Sequence, residues 1–261
     1  MSKPKLSVVK IGGNCIEDPQ TLTEFLRLFA DLKGPKILVH GGGKSATSLA
    51  KSMGVTATLI EGRRITDAEM LRIITMVYAG DVNKNIVVQL QQLQCNALGL
   101  SGADGNCIMA VKRPVKTIDY GFVGDITFIN ASFFNTLLNA GITPVNCAIS
   151  HDNNGQLLNT NADTIASEIA IGLSSMYDTT LYYCFEKKGV LTDIENEESV
   201  LPLITRKSYQ KLKQTGQVSE GMLPKLDNCF YALEHDVCEV RIGSIAMLQK
   251  STTVFTKLKL Q

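Results

Sequence analysis

The chain has no excess of charge of either sign: 26 Lys and Arg stand against 25 Asp and Glu, for a formal net charge of +1 over 261 residues. That balance leaves no electrostatic footprint for nucleic acid or for an anionic membrane surface. It also has no apolar run near the ~18 residues of a membrane span. The start, Met1-Ser2-Lys3-Pro4-Lys5, precedes a stretch too short and too valine-rich for a secretory h-region. The expectation is a cytoplasmic protein with no nucleic-acid and no membrane partner. Histidine is scarce, with three widely separated residues (His40, His151, His235), which speaks against a zinc site. The seven cysteines are odd in number and contain no Cys-x-x-Cys pair. That excludes a disulfide frame and fits small, reduced core residues.

What is present is ordinary for a globular protein: 44% hydrophobic and 20% charged residues. The length fits one large domain or two lobes. Strand and helix signals alternate. Strands are expected at 6–11, 36–40, 96–100, 107–112, 125–128, 142–147, 179–184, 238–242 and 252–257. Helices are expected near 22–32, 44–53, 66–78, 82–94, 131–139, 162–173, 205–214 and 224–234. Capping boxes at Thr21/Glu24 and Thr66/Glu69 would open two of them, and Gly80 would interrupt the second of these. The alternation implies a mostly parallel sheet with helices on both faces. Residues 174–178 are the best candidate for a lobe boundary.

Two glycine-rich turns follow directly on apolar strands: Lys10-Ile11-Gly12-Gly13-Asn14 and His40-Gly41-Gly42-Gly43-Lys44. Bare backbone amides at a helix start suit anionic oxygens. Two such turns in one sheet point to a cleft for two anions, or for both ends of a transferring phosphoryl group. The second turn resembles a Walker A ending, but Leu38 stands where that motif needs its first glycine. Gly41-x-Gly43-x-x-Ala46, with Glu61 about 20 residues on, satisfies a loose dinucleotide fingerprint and stays open as an oxidoreductase alternative. The oxyanion loop of an esterase would need a nucleophile elbow. Gly99-Leu100-Ser101-Gly102-Ala103 lacks its last glycine and has no convincing catalytic histidine downstream.

Lys10 ends an otherwise apolar strand and would point into the space above the strand ends, where phosphoryl transfer needs a cation. Lys225 sits in the first turn of an expected helix, where the helix dipole disfavours it unless phosphate is nearby. In Asn159-Thr160-Asn161-Ala162-Asp163-Thr164, either Asn161 or Asp163 could cap the helix. Alternatively, Asp163 could hold two lysines in position. Arg63 and Arg64 precede a helix, and one of them could clamp a carboxylate.

The order of these segments is specific. Lys-Ile-Gly-Gly at 10–13, His-Gly-Gly-Gly at 40–43, Gly-Arg-Arg-Ile-Thr at 62–66 and Ala-Gly-Asp-Val-Asn-Lys at 79–84 resemble the N-acetylglutamate kinases of the amino acid kinase family. The resemblance continues through 99–105, 120–125, 155–163 and 221–225 and covers nearly the whole chain. It implies a three-layer α/β/α sandwich with a mostly parallel open sheet. Residues 1–176 would bind the acylated amino acid and dimerise, and residues 177–261 would bind the nucleotide. The implied reaction moves the γ-phosphoryl of ATP to the side-chain carboxylate of N-acetylglutamate, a step of arginine biosynthesis. Mg2+ would be held mainly by the nucleotide phosphates. By matching position, Lys10 and Lys225 would be the transition-state cations and Asp163 would orient both. Gly12, Gly13 and Gly41 would bind phosphoryl oxygens. Gly42, Gly43, Arg64 and Asn159 would bind the amino acid. Glu186, Lys188, Gly189 and Gly221 would serve the nucleotide.

The chain departs from the family pattern in two places. Phe185-Glu186 replaces the usual Thr-Asp pair before the nucleotide, with Lys187 or Lys188 as candidates to offset the change. Residues 144–150 also differ beside the substrate pocket, which leaves a larger acyl group such as succinyl as an alternative to acetyl. Arginine-inhibited members carry an extra N-terminal helix. With a first strand beginning by Leu6, the expectation is a homodimer insensitive to arginine.

Overall fold

The computed structural model describes residues 3–60, 62–193, 195–215, 222–249, 251–252 and 254–261. In chain order its strands are β1 (Lys5–Ile11), β2 (Lys36–His40), β3 (Leu59–Ile60), β4 (Arg63–Arg64), β5 (Ala97–Leu100), β6 (Ile108–Lys112), β7 (Gly124–Ile129), β8 (Thr143–Cys147), β9 (Ile149–His151), β10 (Leu157–Asn159), β11 (Asp178–Cys184), β12 (Leu203–Thr205), β13 (Glu239–Gly243) and β14 (Thr256–Lys259). The helices are α1 (Gly13–Glu17), α2 (Pro19–Asp31), α3 (Gly43–Ser52), α4 (Ala68–Thr75), α5 (Asn83–Gln92), α6 (Ala131–Asn139), α7 (Ala162–Leu173), α8 (Arg206–Thr215) and α9 (Leu223–Glu234).

Eight strands form the main sheet in the order β12-β14-β13-β11-β1-β2-β8-β5. All of its pairings are parallel except β13 with β14. Right-handed crossovers then fix the layers. The step from β1 to β2 runs one way across the sheet and places α2 on one face. The steps from β5 to β8 and from β8 to β11 run the other way and place α6 and α7 on the opposite face. Beside β11, α9 packs against α7 and β13. The result is the expected three-layer sandwich. Its core is apolar on both sides of the sheet, with Phe25 and Phe29 of α2, Phe134 of α6 and Phe230 of α9 fully buried. The strands after residue 177 make one half of the sheet, joined to the rest through β1 and β11.

A second sheet, β10-β9-β6-β7, grows from the C-terminal edge of β8. Gly102 makes the junction possible. Its N–H bonds the Ile149 carbonyl at 2.7 Å and its carbonyl accepts from Ile108 N–H at 3.0 Å. A Cβ on Gly102 would lie 2.7 to 2.9 Å from Ile108 O, Ser150 Cα and Ile149 O, all backbone atoms. This explains the glycine in the Gly-Leu-Ser-Gly segment without any catalytic role. Ser101, the esterase candidate, donates its N–H and its hydroxyl to Asp104.

Several local expectations are corrected. The cap of α2 is Asp18, which accepts from Thr21 N–H, with Pro19 at the first helical position. The cap of α4 is Asp67, not Thr66, because Thr66 Oγ1 donates to the Arg64 carbonyl. Gly80 does not break the chain's helical course. Met76–Val82 is π-helical and joins α4 to α5. The last strand begins at Thr256 rather than 252, and strands β9, β10 and β12 were not foreseen.

Replacing Gly102 by alanine forces a Cβ into three backbone contacts that no rotamer change relieves. The expected loss is about 1–3 kcal/mol, read as a lower urea midpoint. An unchanged midpoint would show that the junction between the sheets can shift.

Candidate active site

The site forms where β1, β2 and β11 end and α1, α3, α7 and α9 begin. On β1, Lys10 shares its face of the sheet with its register partner Tyr183 on β11. That face is covered by α7, and the Tyr183 hydroxyl donates to the Asp163 carbonyl at 2.9 Å. Asn161 is the cap of α7, its side chain accepting from the N–H groups of Asp163 and Thr164. The Asp163 carboxylate is thereby released from capping and is free for the lysines.

Lys10 Nζ lies 2.7 Å from Asp163 Oδ1, and Lys225 Nζ lies 2.9 Å from Oδ2. The contact to Oδ1 is an ion pair without good hydrogen-bond angles, and among the described residues Oδ1 has no hydrogen-bond partner. Burial pushes the Asp163 carboxyl up, but the two ammoniums outweigh it and hold it well below the usual carboxylate range. Lys10 and Asp163 are buried, whereas Lys225 keeps a third of its side chain exposed. Two ammoniums on one carboxylate leave one net positive charge at the mouth of the glycine turns.

Lys10, Ile11, Gly13, Gly41–Gly43 and Ala162 line one side of a cavity of about 580 Å³. Gly12 shapes the turn instead of facing the ligand with its amide. Its N–H is engaged by the Cys184 carbonyl at 2.9 Å, which corrects the expectation that it is available to an anion. Gly13 and Gly41 line the cavity. Gly42 has φ 153°, and a Cβ there would meet the Tyr78 ring at 2.9 Å. Glu17 ties the two turns together, with Oε1 accepting from Ser45 N–H at 3.0 Å and from its hydroxyl at 2.5 Å.

Arg64 is buried and lines the cavity beside Gly43. Its Nη2 donates to the Gly43 carbonyl at 2.8 Å and to Thr47 Oγ1 at 2.7 Å. Asn159 Nδ2 donates to Thr66 Oγ1 at 3.0 Å. Thr66 is itself gripped by Tyr120–Phe122: its N–H bonds the Tyr120 carbonyl and its carbonyl accepts from Phe122 N–H. Gly121, with φ 71°, sits where a Cβ would come within 2.2 Å of Thr66 O. Three segments that are distant in sequence are therefore bonded together, and Asn159 is not among the residues that line the cavity.

On the other side, Lys187 pairs with Glu197 at 3.0 Å and Lys188 with Glu198 at 2.5 Å, all four side chains being exposed. Gly189 is demanded by packing, since a Cβ there would meet Val200 Cγ1 at 2.6 Å and Thr256 Oγ1 at 2.7 Å. Glu186 follows Phe185 at the end of β11. Gly221 and Glu61 lie outside the described residues.

Sequence reasoning missed the support beneath the second turn. His40 is fully buried, with Nδ1 2.7 Å from Gly41 O and Nε2 2.9 Å from Asn83 Nδ2. Asn83 also donates to the Val145 carbonyl at 2.9 Å. An amide donor at Nε2 puts the imidazole proton on Nδ1, where it bonds Gly41. The Ala-Gly-Asp-Val-Asn-Lys segment supplies Asn83 and carries this signal. Lys44 and Lys51, which line the cavity, were not singled out either.

A positive centre braced on a buried carboxylate, facing glycine turns at parallel strand ends, defines a small-molecule phosphotransferase. Residues 5–244 match the amino acid kinase family. Acetylglutamate kinase of Cytophaga hutchinsonii is 51% identical over 259 residues, spanning 97% of this chain and 98% of that one. Acetylglutamate kinase of Phocaeicola vulgatus is 50% identical over 256 residues, spanning 98% and 100%. The fold is shared with carbamate kinase from Giardia lamblia bound to AMP-PNP, with a TM-score of 0.73 at 14% identity and complete coverage of both chains. The chain belongs to the amino acid kinase family.

Burial pushes the His40 pKa down to about 4 from 6.5, so the unfolded chain takes up a proton that the folded chain refuses. This contribution to stability is complete above about pH 6.5 and is lost as pH falls towards 4, by up to about 1.4 kcal/mol per pH unit. Urea unfolding followed from pH 7 to pH 4.5 is expected to show the decline. A stability that holds level over that interval would contradict a neutral, buried His40.

Proposed function

We propose that the chain is an acetylglutamate kinase, transferring the γ-phosphoryl of ATP to the side-chain carboxylate of N-acetyl-L-glutamate. The observation that carries this reading is the pair of lysines sharing Asp163 beside a cavity that Lys10, the glycine turns and Arg64 line. A carboxylate is ionised at pH 7, so the acceptor needs no general base. What remains is to align two anions and to offset the charge that builds on the transferring group.

In this reading Lys10 and Lys225 meet the phosphoryl oxygens from two sides, and Asp163 sets their separation. Gly13 and Gly41 offer main-chain amides, while Gly12 keeps the turn close to β11. Arg64 takes the α-carboxylate, with Gly42, Gly43 and Asn159 around the acylated amino group. The half of the sheet after residue 177 receives ATP near Glu186, Lys188, Gly189 and Gly221. Both Asp163 oxygens already face lysines. In this reading Mg2+ enters on the nucleotide phosphates.

We further propose that the protein works in the cytoplasm as a homodimer. Strand β5 is an edge of the main sheet, and Leu98 on it and Val88 and Leu93 beside it are exposed. Such an edge is a pairing surface. Light scattering is expected to give twice the chain mass, and a monomer at micromolar concentration would refute the pairing.

The dinucleotide reading of Gly41-x-Gly43-x-x-Ala46 leaves Lys10, Asp163 and Lys225 without a task. A hydroxamate assay with ATP and N-acetylglutamate tests the kinase reading directly. Lys10→Ala and Lys225→Ala should each lower kcat by orders of magnitude with modest change in KM, as expected for contacts made mainly in the transition state. Arg64→Ala should act chiefly on the KM of the amino acid. Full turnover in Lys10→Ala would remove that lysine from the chemistry.

A further inference from the structure

The peptide group between Gly41 and Gly42 stands between the cavity and the core. Both glycines line the cavity, whereas His40 beneath them is fully buried. The Gly41 carbonyl is turned down to the His40 ring, 2.7 Å from Nδ1. The peptide is trans, as are all others among the described residues. In a planar trans peptide the N–H points opposite to the carbonyl. The Gly42 N–H is therefore directed away from His40. Among the described residues it has no backbone acceptor.

A chain of hydrogen bonds turns the carbonyl down. Asn83 Nδ2 donates to the Val145 carbonyl at 2.9 Å, which fixes the orientation of that amide. The same nitrogen lies 2.9 Å from His40 Nε2. Its second proton meets the Nε2 lone pair, so the ring proton is left on Nδ1, facing Gly41. Asn83 Oδ1 accepts from Lys84 Nζ at 3.2 Å. Gly99 on the edge strand β5 leaves room for this amide, since a Cβ there would run into Asn83 Oδ1. His40 and Asn83 are both closed off from solvent, and neither lines the cavity.

We propose that His40 and Asn83 are positioning residues for phosphoryl transfer, aiming the Gly42 N–H at the oxygens that gain charge. The inference rests on the kinase reading given above, which already places Gly41 at the phosphoryl end. His40 holds the Gly41 carbonyl, and Asn83 selects the ring proton that does so. Without Asn83 the ring is free to carry its proton on Nε2. Nδ1 would then turn a lone pair towards the Gly41 carbonyl, and the peptide plane would rotate away. A donor fixed in advance acts mainly on charge that builds in the transition state, so its loss falls on kcat. Deleting such a donor outright costs about 10²–10³ in kcat, and misaiming it should cost about tenfold or more.

Two measurements test this. NMR of the imidazole nitrogens needs to resolve only three histidines, with His40 assigned by its loss in His40→Asn. The expected ring is neutral and protonated at Nδ1; protonation at Nε2 would overturn the inference. The second measurement is a hydroxamate assay with ATP and whichever of N-acetylglutamate and N-succinylglutamate the unaltered enzyme turns over faster. His40→Leu and Asn83→Leu are expected to lower kcat about tenfold or more, with each KM within about twofold. His40→Asn can place an amide nitrogen where Nδ1 stands and should recover most of the loss seen in His40→Leu. Gly99→Ala pushes Asn83 aside from outside the cavity and should lower kcat as Asn83→Leu does. It decides the matter where circular dichroism shows that a leucine variant has not folded. Full turnover in Gly99→Ala or in the folded leucine variants, or a loss confined to KM, would overturn the inference. His40→Asn no better than His40→Leu would do the same, by assigning the effect to packing. Phosphorylation of neither acceptor by the unaltered enzyme would overturn the kinase reading itself.

Discussion

Two like charges cannot be held side by side in a partly dry cleft without a third group between them. At about 4 Å, two ammoniums repel by roughly 4 kcal/mol where the effective dielectric constant is near 20. Asp163 resolves this by accepting one ammonium on each oxygen. The carboxylate must stay ionised, and the lysines themselves secure that by holding its pKa down against burial. The arrangement remains positive overall, which is the condition a dianionic or trianionic phosphoryl group needs. Much of the local architecture serves this contact. Asn161 takes over capping so that Asp163 need not, Tyr183 anchors the first turn of α7 to β11, and α9 brings Lys225 in from a different part of the chain.

The walls of the cavity follow a similar logic, in which a residue is fixed by one that never meets the ligand. His40 and Asn83 hold the Gly41 carbonyl from below. Thr47 and the Gly43 carbonyl aim Arg64. Thr66 orients Asn159 and is in turn clasped by Tyr120–Phe122. Removing any supporting group leaves a buried donor or acceptor unmatched, at a cost of about 1–3 kcal/mol. The supporting groups also come from separate segments of the chain. The motifs therefore occur as a set: each one completes the hydrogen bonding of another.

Much of this was legible in the sequence, and the parts that were not share a cause. The glycine turns and Lys10 were readable because a glycine pair after an apolar strand is a local signal. The boundaries of α7 were readable because its apolar period is clean. The ambiguity between Asn161 and Asp163 could not be settled from spacing, since both are good caps; the lysines decide it through contacts far along the chain. Capping at Thr21 and Thr66 is misjudged because Asp18, three residues before Thr21, and Asp67, one residue after Thr66, hold the cap positions instead. Gly80 looked like a helix breaker because propensity counts its entropy, whereas tertiary packing keeps Met76–Val82 helical in a wider π form. His40 read as part of a glycine loop because its partner Asn83 lies 43 residues away.

The two sets of cations differ in the way physical chemistry requires. Lys10 and Arg64 are buried, and each is bonded to protein acceptors before any ligand arrives. A buried charge left unmatched is strongly destabilising, so these two must be compensated within the fold. Lys44 and Lys51 are exposed, and water can solvate them. The free state therefore tolerates them without a partner. An exposed lysine on a regular helix can be exchanged without disturbing the carboxylate that braces Lys10 and Lys225.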